Sequence, residues 1–350
     1  MPSPSSLTPL SRRRVLALGL GSAAGLLAAC ATAGAPSAAP APPRAPAMST
    51  APSTGKLAPT VRLGFQPPYI GVFAMQNQKL LEAAFGDAGP AIEYRRLLSL
   101  NPIVEALSGG AIDLGMGGTP LAGVAADQPI RILALVERSP KTHAILLKPD
   151  SPIKSIADLR GKKLGTPSGK AYVFPLRVLE RAGIKDSEVA WITLENNEGR
   201  SALLTGAIDA WVTWDPFFAS AQAANEAIPL VDGDSYQTNY VTLFGRTDYV
   251  EQYPDTVRQF IKAYQGALGW VQANHAEAVK IFAAENKTTP EVTELTLGRR
   301  SYLLAAPDTD DYLADVTNQG KLFAQLGVTQ KEPDWKAVIA PGPARAVLGS

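Results

Sequence analysis

Two related pentapeptides decide how this chain folds: Ala-Ile-Asp-Leu-Gly at residues 111–115 and Ala-Ile-Asp-Ala-Trp at residues 207–211. Each follows a predicted helix that ends in glycine, and each is predicted to form a short strand that leads into a turn. Because the same unit occurs twice, we expect two similar α/β units that face each other, with turns that could hold a ligand between them.

The segments around the pentapeptides alternate between strand and helix patterns. Further strands are predicted at residues 61–65, 92–96, 130–136, 143–147, 163–166, 189–194 and 228–231. Helices are predicted at residues 71–85, 102–109, 120–126, 171–182, 199–206 and 216–225. From residue 249 to about residue 326 apolar residues recur at helical spacing. The pattern therefore predicts an α/β fold with parallel sheets and a helical C-terminal region.

Two crossings between the units are predicted, one near residues 147–152 and one near residues 230–233. The first contains Lys-Pro-Asp-Ser-Pro, whose prolines favour an extended backbone. These crossings assign residues 61–148 and 233–350 to a first lobe and residues 149–232 to a second lobe.

The first sixty residues have the pattern of an export signal followed by a tether. Arg12, Arg13 and Arg14 precede an apolar run that is short for a membrane span and that ends at Leu-Ala-Ala-Cys. This ending resembles a bacterial lipobox, so we predict a signal peptide over residues 1–29 and a lipid anchor at Cys30. Residues 30–60 are rich in Ala and Pro and are predicted to form an extended tether. We expect a periplasmic or cell-surface protein, exported by the twin-arginine or the general secretory route.

Composition excludes several classes of function. The 350 residues include 33 basic and 32 acidic side chains, and subtracting the three arginines of residues 1–29 changes the net charge from +1 to −2. A mildly acidic mature protein argues against nucleic-acid binding. One cysteine excludes an internal disulfide and a Cys-rich zinc site, and two histidines leave little material for a metal site or a Ser-His-Asp triad.

Residues 107–115, 150–163 and 206–217 together resemble the solute-binding proteins of ABC importers. The resemblance is nearest to the aliphatic sulfonate and taurine branch, in a group that also holds nitrate and pyrimidine-precursor binders, and it extends from about residue 61 to residue 327. It implies a two-lobed type II periplasmic-binding fold that captures a small organic anion by closing at a hinge. It also implies a monomer without metal or cofactor that catalyses no reaction and delivers its ligand to a permease with an ATPase.

Candidate ligand contacts in the first lobe follow strands. Gln66 offers a side-chain amide after the first strand, and Gly118 and Thr119 offer backbone amides and a hydroxyl before a helix that Thr119 is expected to cap. Glu137, at a strand end, is a weaker candidate. Helix N-termini at such turns suit an anion, because their N–H groups are unpaired.

Candidate contacts in the second lobe lie at two turns. Ser168, Gly169, Lys170 and Tyr172 form the first group, in which Lys170 could be a ligand contact or a surface lysine. The sulfonate branch often has a Ser-Ser pair and a histidine where Gly169, Lys170 and Tyr172 stand here.

Trp214 and Asp215 form the second group, with Trp214 as an apolar wall and Asp215 as a helix cap or a ligand contact. Glu198 and Arg200 are weaker candidates, because Arg200 could instead pair with Glu198 or Glu195. His143 is expected to be structural.

Three alternatives to the capture of a small organic anion stay open at this point. The same fold could bind nitrate, bicarbonate or a neutral heterocycle such as a pyrimidine precursor. It could also be an enzyme that makes such a precursor, which the absence of a free cysteine after lipidation disfavours. A ligand-sensing module for a membrane receptor is the third alternative.

Overall fold

The computed structural model describes residues 55–349. The predicted signal peptide, Cys30 and most of the predicted tether therefore lie outside the described residues. Within the described part, no helix is both long enough and apolar enough to cross a bilayer.

Two separate β-sheets define two lobes. The first sheet has the order β11-β4-β10-β3-β1-β2. Its strands are β1 (Thr60–Phe65), β2 (Ala91–Arg96), β3 (Leu114–Gly118), β4 (Ile130–Arg138), β10 (Tyr240–Arg246) and β11 (Tyr302–Ala305). The second sheet has the order β7-β6-β8-β5-β9. Its strands are β5 (His143–Leu147), β6 (Lys163–Thr166), β7 (Ala190–Thr193), β8 (Ala210–Trp214) and β9 (Ile228–Asp232). We call the first sheet with its helices lobe 1 and the second lobe 2.

Helices connect the strands and cover both sheets. The helices of the first half are α1 (Ile70–Asn77), α2 (Leu80–Phe85), α3 (Leu100–Ser108), α4 (Leu121–Ala125), α5 (Val173–Arg181), α6 (Asn196–Thr205) and α7 (Phe217–Ala223). Those of the C-terminal region are α8 (Thr247–Gln252), α9 (Pro254–Ala273), α10 (His275–Asn286), α11 (Pro290–Gly298), α12 (Asp310–Gln325), α13 (Trp335–Val338) and α14 (Gly342–Leu348). The predicted α/β fold with a helical C-terminal region is confirmed.

The sheets are mixed, so the prediction of parallel sheets is correct only for part of each sheet. Strand β1 is parallel to β2 and β3, and β6 is parallel to β7 and β8. Strand β10, which the sequence prediction missed, lies between β3 and β4 and is antiparallel to both. Strand β5 is antiparallel to its neighbours β8 and β9. Strands β5 and β10 are those by which the chain enters one lobe from the other, and β11 is also antiparallel to its neighbour β4.

The first crossing lies at residues 139–142, earlier than the predicted crossing at residues 147–152. The chain leaves β4 at Arg138, makes one 3₁₀ turn over Pro140–Thr142 and enters β5 at His143. Residues 143–147 therefore belong to the sheet of lobe 2 and not to that of lobe 1. The return crossing runs through residues 233–239, between β9 and β10.

Each aspartate of the two pentapeptides fixes the start of a neighbouring strand. The Asp113 carboxylate accepts hydrogen bonds from the backbone N–H of Arg62 at 3.1 Å and from its guanidinium at 2.6 Å and 2.8 Å. The Asp209 carboxylate accepts from the backbone N–H of Lys163 at 2.7 Å. The repeated Ala-Ile-Asp unit thus has the same structural role in both lobes.

The two strands that the pentapeptides were predicted to form begin later than predicted, at Leu114 and Ala210. The N–H groups of Ile112 and Ile208 bond back to carbonyls of the preceding helices, at Ala106 and Ala202. These bonds keep the isoleucines out of the strands. A second difference lies at residues 71–85, where Lys79 adopts a left-handed φ of 51° and divides the predicted helix into α1 and α2.

The core of lobe 1 is built on α9, the longest helix of the described chain. Its apolar residues belong to one core cluster with those of α1 and the first sheet. Six apolar residues that recur at helical spacing in α9 are all buried: Val257, Phe260, Ile261, Tyr264, Leu268 and Val271. The periodicity prediction is confirmed for this helix.

Two helical glycines give a matched test of packing. A Cβ on Gly199 of α6 would overlap the indole ring of Trp211, which is fully buried, whereas a Cβ on Gly266 of α9 would meet no atom within 4 Å. Alanine is preferred over glycine in an open helix by about 0.5–1 kcal/mol, and overpacking costs about 1–3 kcal/mol. We expect Gly266→Ala to raise and Gly199→Ala to lower the free energy of unfolding, measured by urea denaturation. Equal changes in the two variants would contradict the packing of α6 on Trp211.

Candidate functional site

A cavity of about 580 Å³ lies between the two lobes, at the ends of strands β1, β3, β6 and β8. This is the edge where α/β sheets hold ligands, because turns and helix N-termini follow the strand ends there. Residues of both crossings and of the C-terminal region complete the wall. Seven of the predicted site residues line the cavity: Gln66, Gly118, Thr119, Glu137, Ser168, Tyr172 and Trp214.

The lobe 1 wall contains a buried ion pair. Nη1 of Arg300 donates to Oε1 of Glu137 at 2.6 Å, and the two side chains are 4% and 2% exposed. Burial alone would disfavour the Arg300 cation, but Glu137 and the surrounding groups outweigh it and the pKa of Arg300 is raised. Arg300 is the only cation among the described residues that line the cavity, where Glu105, Glu137 and Glu195 are the acids.

Gln66 is positioned by Tyr69 on the same wall. The Tyr69 hydroxyl donates to Oε1 of Gln66 at 3.1 Å, which leaves the Gln66 amide nitrogen as the group that can donate to a ligand. The Arg300 guanidinium lies 6.0 Å from the centroid of the Tyr69 ring. Gln66, Tyr69 and Arg300 thus form one polar patch in the lobe 1 wall.

Thr119 does not cap the helix that follows it. Pro120 occupies the N-cap position of α4, and no side chain bonds to the cap. The Thr119 hydroxyl instead shares a hydrogen bond of 3.2 Å with the Tyr312 hydroxyl, since α12 packs against this turn. The Gly118 carbonyl accepts from the Thr242 hydroxyl at 3.3 Å, which fixes the turn from the side of β10.

Three rings line the lobe 2 side of the cavity together, those of His143, Tyr172 and Trp214, and we call them the aromatic wall. The three ring centroids lie 5.7–6.1 Å apart. Burial and the nearby Arg300 lower the pKa of His143 to about 3, so its ring is neutral at physiological pH. Burial raises the pKa of the Tyr172 hydroxyl, which has no hydrogen-bond partner within the described chain.

The tautomer of His143 follows from its neighbours. The Thr142 hydroxyl donates its only hydrogen to the carbonyl of Ser139 at 2.7 Å, so it can only accept from Nδ1 of His143 at 3.1 Å. The Nδ1 atom therefore carries the hydrogen, and Nε2 is left as an acceptor. His143 is structural, as expected from the sequence, and it also faces the cavity.

Comparison with known proteins identifies the family of this chain. The family model described as NMT1/THI5 like matches residues 99–278, about half of the chain. The chain belongs to the NMT1/THI5-like family. It is 27% identical over 278 residues to a protein of Escherichia coli K12 named "Putative aliphatic sulfonates-binding protein", covering 78% of this chain and 86% of the relative.

Solved structures of periplasmic binding proteins share the fold of this NMT1/THI5-like chain. The aliphatic sulphonate binding protein SsuA of Escherichia coli superposes with a TM-score of 0.74 at 24% identity, over 81% of this chain and 92% of SsuA. The alkanesulfonate-binding SsuA of Xanthomonas axonopodis, bound to MOPS, gives 0.72 at 24% identity, over 83% and 98%. The desulfurization enzyme DszB gives 0.64 at 18% identity, over 83% and 99%. The implied two-lobed periplasmic-binding fold is confirmed.

Several predicted site residues lie away from the cavity. Lys170 is on the outer surface, where its Nζ donates to Asp186 at 2.7 Å, and neighbouring Gly169 does not line the cavity either. Arg200 pairs with Glu226 at 2.6 Å, and not with Glu195 or Glu198 as expected. Glu198 accepts from the backbone N–H of Glu195 and closes the N-terminus of α6. These side chains reach nearby partners on the surface of lobe 2, so their placement gives them no contact with the cavity.

Asp215 lies behind the cavity wall and joins the two lobes. Its Oδ1 accepts from the Ala219 N–H and from Nη1 of Arg299, both at 2.9 Å. Arg299 also donates to Gln222 and stacks on Phe218, 3.7 Å from the ring centroid. The Asp215 carboxylate thus bonds to the first turn of α7, as predicted for a helix cap, although Pro216 holds the N-cap position itself. It does not line the cavity, so its placement gives no support to the predicted ligand contact.

Sequence reasoning missed Arg299 and Arg300. Their partners Asp215 and Glu137 are 84 and 163 residues away along the chain, so no local spacing reveals the pairs. The one available signal is the Arg-Arg pair itself, which stands just before β11, a strand that the prediction of a helical region over residues 249–326 missed.

The Asp215 carboxylate should leave a signature in the pH dependence of stability. Burial raises the pKa of Asp215 to about 6, although Arg299 and Arg300 act in the opposite direction. An unfolded aspartate titrates near pH 4, so the folded state binds this proton more tightly and Asp215 reduces stability as the pH rises from about 4 to about 6. His143 acts oppositely, since its stabilisation is lost as the pH falls below about 6.5.

We expect Asp215→Asn to remove the Asp215 contribution and leave that of His143. The free energy of unfolding of the wild type relative to the variant should decrease by up to about 3 kcal/mol between pH 4 and pH 7. Urea denaturation at each pH measures this difference, in which the contribution of His143 cancels. Parallel pH profiles for the two proteins would show that Asp215 titrates normally.

Proposed function

We propose that this protein is the solute-binding component of an ABC importer and that it captures a small organic anion of the sulfonate class between its lobes. The observation that carries the proposal is the buried Arg300 guanidinium in the cavity wall, with only Nη1 hydrogen-bonded within the described chain. The names of the sulfonate-binding relatives support the same ligand class.

The two walls would bind the ligand in different ways. Lobe 1 offers hydrogen-bond donors to the sulfonate: Arg300, the Gln66 amide and the N–H groups of Gly118 and Thr119. Lobe 2 offers Ser168 and the rings of Tyr172 and Trp214. A sulfonate is ionised at every physiological pH, so the site needs no titrating group, and a neutral His143 fits this requirement. Closure of the lobes would remove water and strengthen each hydrogen bond.

The cavity size distinguishes between the anion candidates. A volume of about 580 Å³ lies within the range of about 300–1,000 Å³ typical of sites for organic ligands. Nitrate or bicarbonate would fill a small part of it and would leave the apolar wall wet. We therefore propose an organic anion, and not nitrate or bicarbonate, as the ligand.

Binding without chemistry is part of the proposal. The Escherichia coli relative carries the name of a binding protein, whereas likeness to DszB concerns the fold alone. Recovery of the bound ligand in unchanged form after prolonged incubation tests this part, and a released product would contradict it.

The first test is ligand binding by variants of Arg300. We expect alkanesulfonates to bind the purified protein with one-to-one stoichiometry in isothermal titration calorimetry. Arg300→Met should weaken binding by about 10- to 100-fold, because a hydrogen bond to a charged group contributes about 1.5–3 kcal/mol. Arg300→Lys keeps the charge for Glu137 and should retain the fold with an intermediate affinity.

Arg345→Met is the matched control, because Arg345 pairs with Asp308 on the protein surface and does not line the cavity. It should bind as the wild type does. Thermal unfolding of each variant establishes that it is folded. Binding of a neutral pyrimidine without binding of any sulfonate would contradict the anion proposal.

We further propose that residues 1–29 direct export and that Cys30 becomes lipid-modified. Cys30→Ser should move the protein from the membrane fraction to the soluble extracytoplasmic fraction, because the lipid chains supply the membrane affinity. The control is a Cys30→Ser, Ser37→Cys double variant, which keeps one cysteine in the tether but removes it from the lipobox position. A Cys30→Ser protein that stays in the membrane fraction would show that the anchor is elsewhere.

A further inference from the structure

The cavity has an apolar surface on both sides. On lobe 2 the aromatic wall presents the half-buried rings of His143, Tyr172 and Trp214. Five aliphatic and aromatic side chains of lobe 1 and the C-terminal region also line the cavity, among polar ones: Leu100, Val104, Leu121, Phe323 and Val328. A ligand that touches both surfaces must carry an apolar body, since a small polar ion would leave them hydrated.

Arg300, the one cation among the described residues that line the cavity, lies near the start of the aromatic wall. The N–H of the next residue, Ser301, donates to the Ser139 hydroxyl at 2.9 Å, at the crossing that leads into His143, and Arg300 borders the ring of Tyr69 on its own side. An anionic group at Arg300 therefore places the rest of its ligand beside the aromatic wall. The carboxylates Glu105 and Glu195 are exposed at the rim of the cavity, away from this buried pair.

The polar atoms of the aromatic wall are few. The Tyr172 hydroxyl is buried and unpartnered, and Nδ1 of His143 is bonded to Thr142. The Trp214 indole N–H has no hydrogen-bond partner within residues 55–349 and can donate to a sulfonate oxygen at the edge of the wall. The rest of the wall offers ring surface, which binds another ring by stacking or by edge-to-face contact.

We propose that the ligand is an arylsulfonate, with its sulfonate at Arg300 and its ring against Tyr172 and Trp214, and that these two side chains determine specificity. The proposal rests on the proposed function and deepens it, because it names the organic group that carries the sulfonate.

Three ligands with the same anionic group separate the contributions: benzenesulfonate, cyclohexanesulfonate and ethanesulfonate. We expect affinity to decrease in that order in calorimetric titrations of the wild type. Benzenesulfonate should bind at least about tenfold more tightly than ethanesulfonate, because it buries more apolar surface and adds ring contacts. Cyclohexanesulfonate has a similar size without a π-system and should lie between the two.

Trp214→Leu removes the ring but keeps an apolar side chain. It should weaken benzenesulfonate about tenfold and ethanesulfonate less than about threefold, and Tyr172→Leu should change the ratio in the same direction. Trp270→Leu is the matched control, because Trp270 lies on α9 and does not line the cavity. It should leave all three affinities unchanged, and thermal unfolding verifies that each variant is folded.

The outcomes separate this proposal from the one on which it rests. Equal affinity for ethanesulfonate and benzenesulfonate, or equal weakening of both by Trp214→Leu, would overturn the arylsulfonate proposal and leave sulfonate capture in place. Equal affinity for the cyclohexyl and phenyl ligands would overturn the role of the ring contacts. Failure of every sulfonate to bind would overturn both proposals.

Discussion

Two adjacent arginines connect the ligand cavity to the junction of the lobes. Arg300 pairs with buried Glu137 in the cavity wall, and Arg299 pairs with buried Asp215 of lobe 2. Removing one partner of a buried pair is costly, because it leaves an uncompensated charge in a medium of low dielectric. Since the arginines are neighbours in the chain, a shift of the backbone at one of them is transmitted to the other. A residue that lines the cavity and a residue that ties the two lobes are therefore neighbours in the chain.

The segment of residues 299–301, which contains both arginines, lies beside both crossings. The N–H of Ser301 donates to the Ser139 hydroxyl at 2.9 Å, and the Asn239 amide donates to the Ser139 carbonyl at 2.8 Å. Ser139 begins the first crossing and Asn239 ends the return, so one buried serine joins all three segments. A hinge built in this way can bend at the crossings while the strands on either side keep their register.

The sequence predicted that the Ala-Ile-Asp unit occurs twice, because that pattern is local. It did not predict that Asp113 and Asp209 fix strands through residues that lie 51 and 46 residues earlier in the chain, or that Thr119 bonds to Tyr312. The prediction failed where distant residues decide the structure. Strand β10 is held by β3 and β4, which lie more than a hundred residues away. The choice between a ligand contact and a surface lysine stayed open for Lys170, because its partner Asp186 could not be placed from the sequence.

The charge of the cavity bears on release as well as on capture. Glu137 compensates the charge of Arg300, so a ligand anion enters a site whose buried pair is formally neutral. Much of the affinity must then come from backbone and side-chain N–H groups and from the apolar walls, which become effective only when the lobes close. In the proposed function this is an advantage, because opening of the lobes removes those contacts together. A bare buried cation would hold the anion in the open state too, whereas a compensated one lets the ligand leave when a transporter separates the lobes.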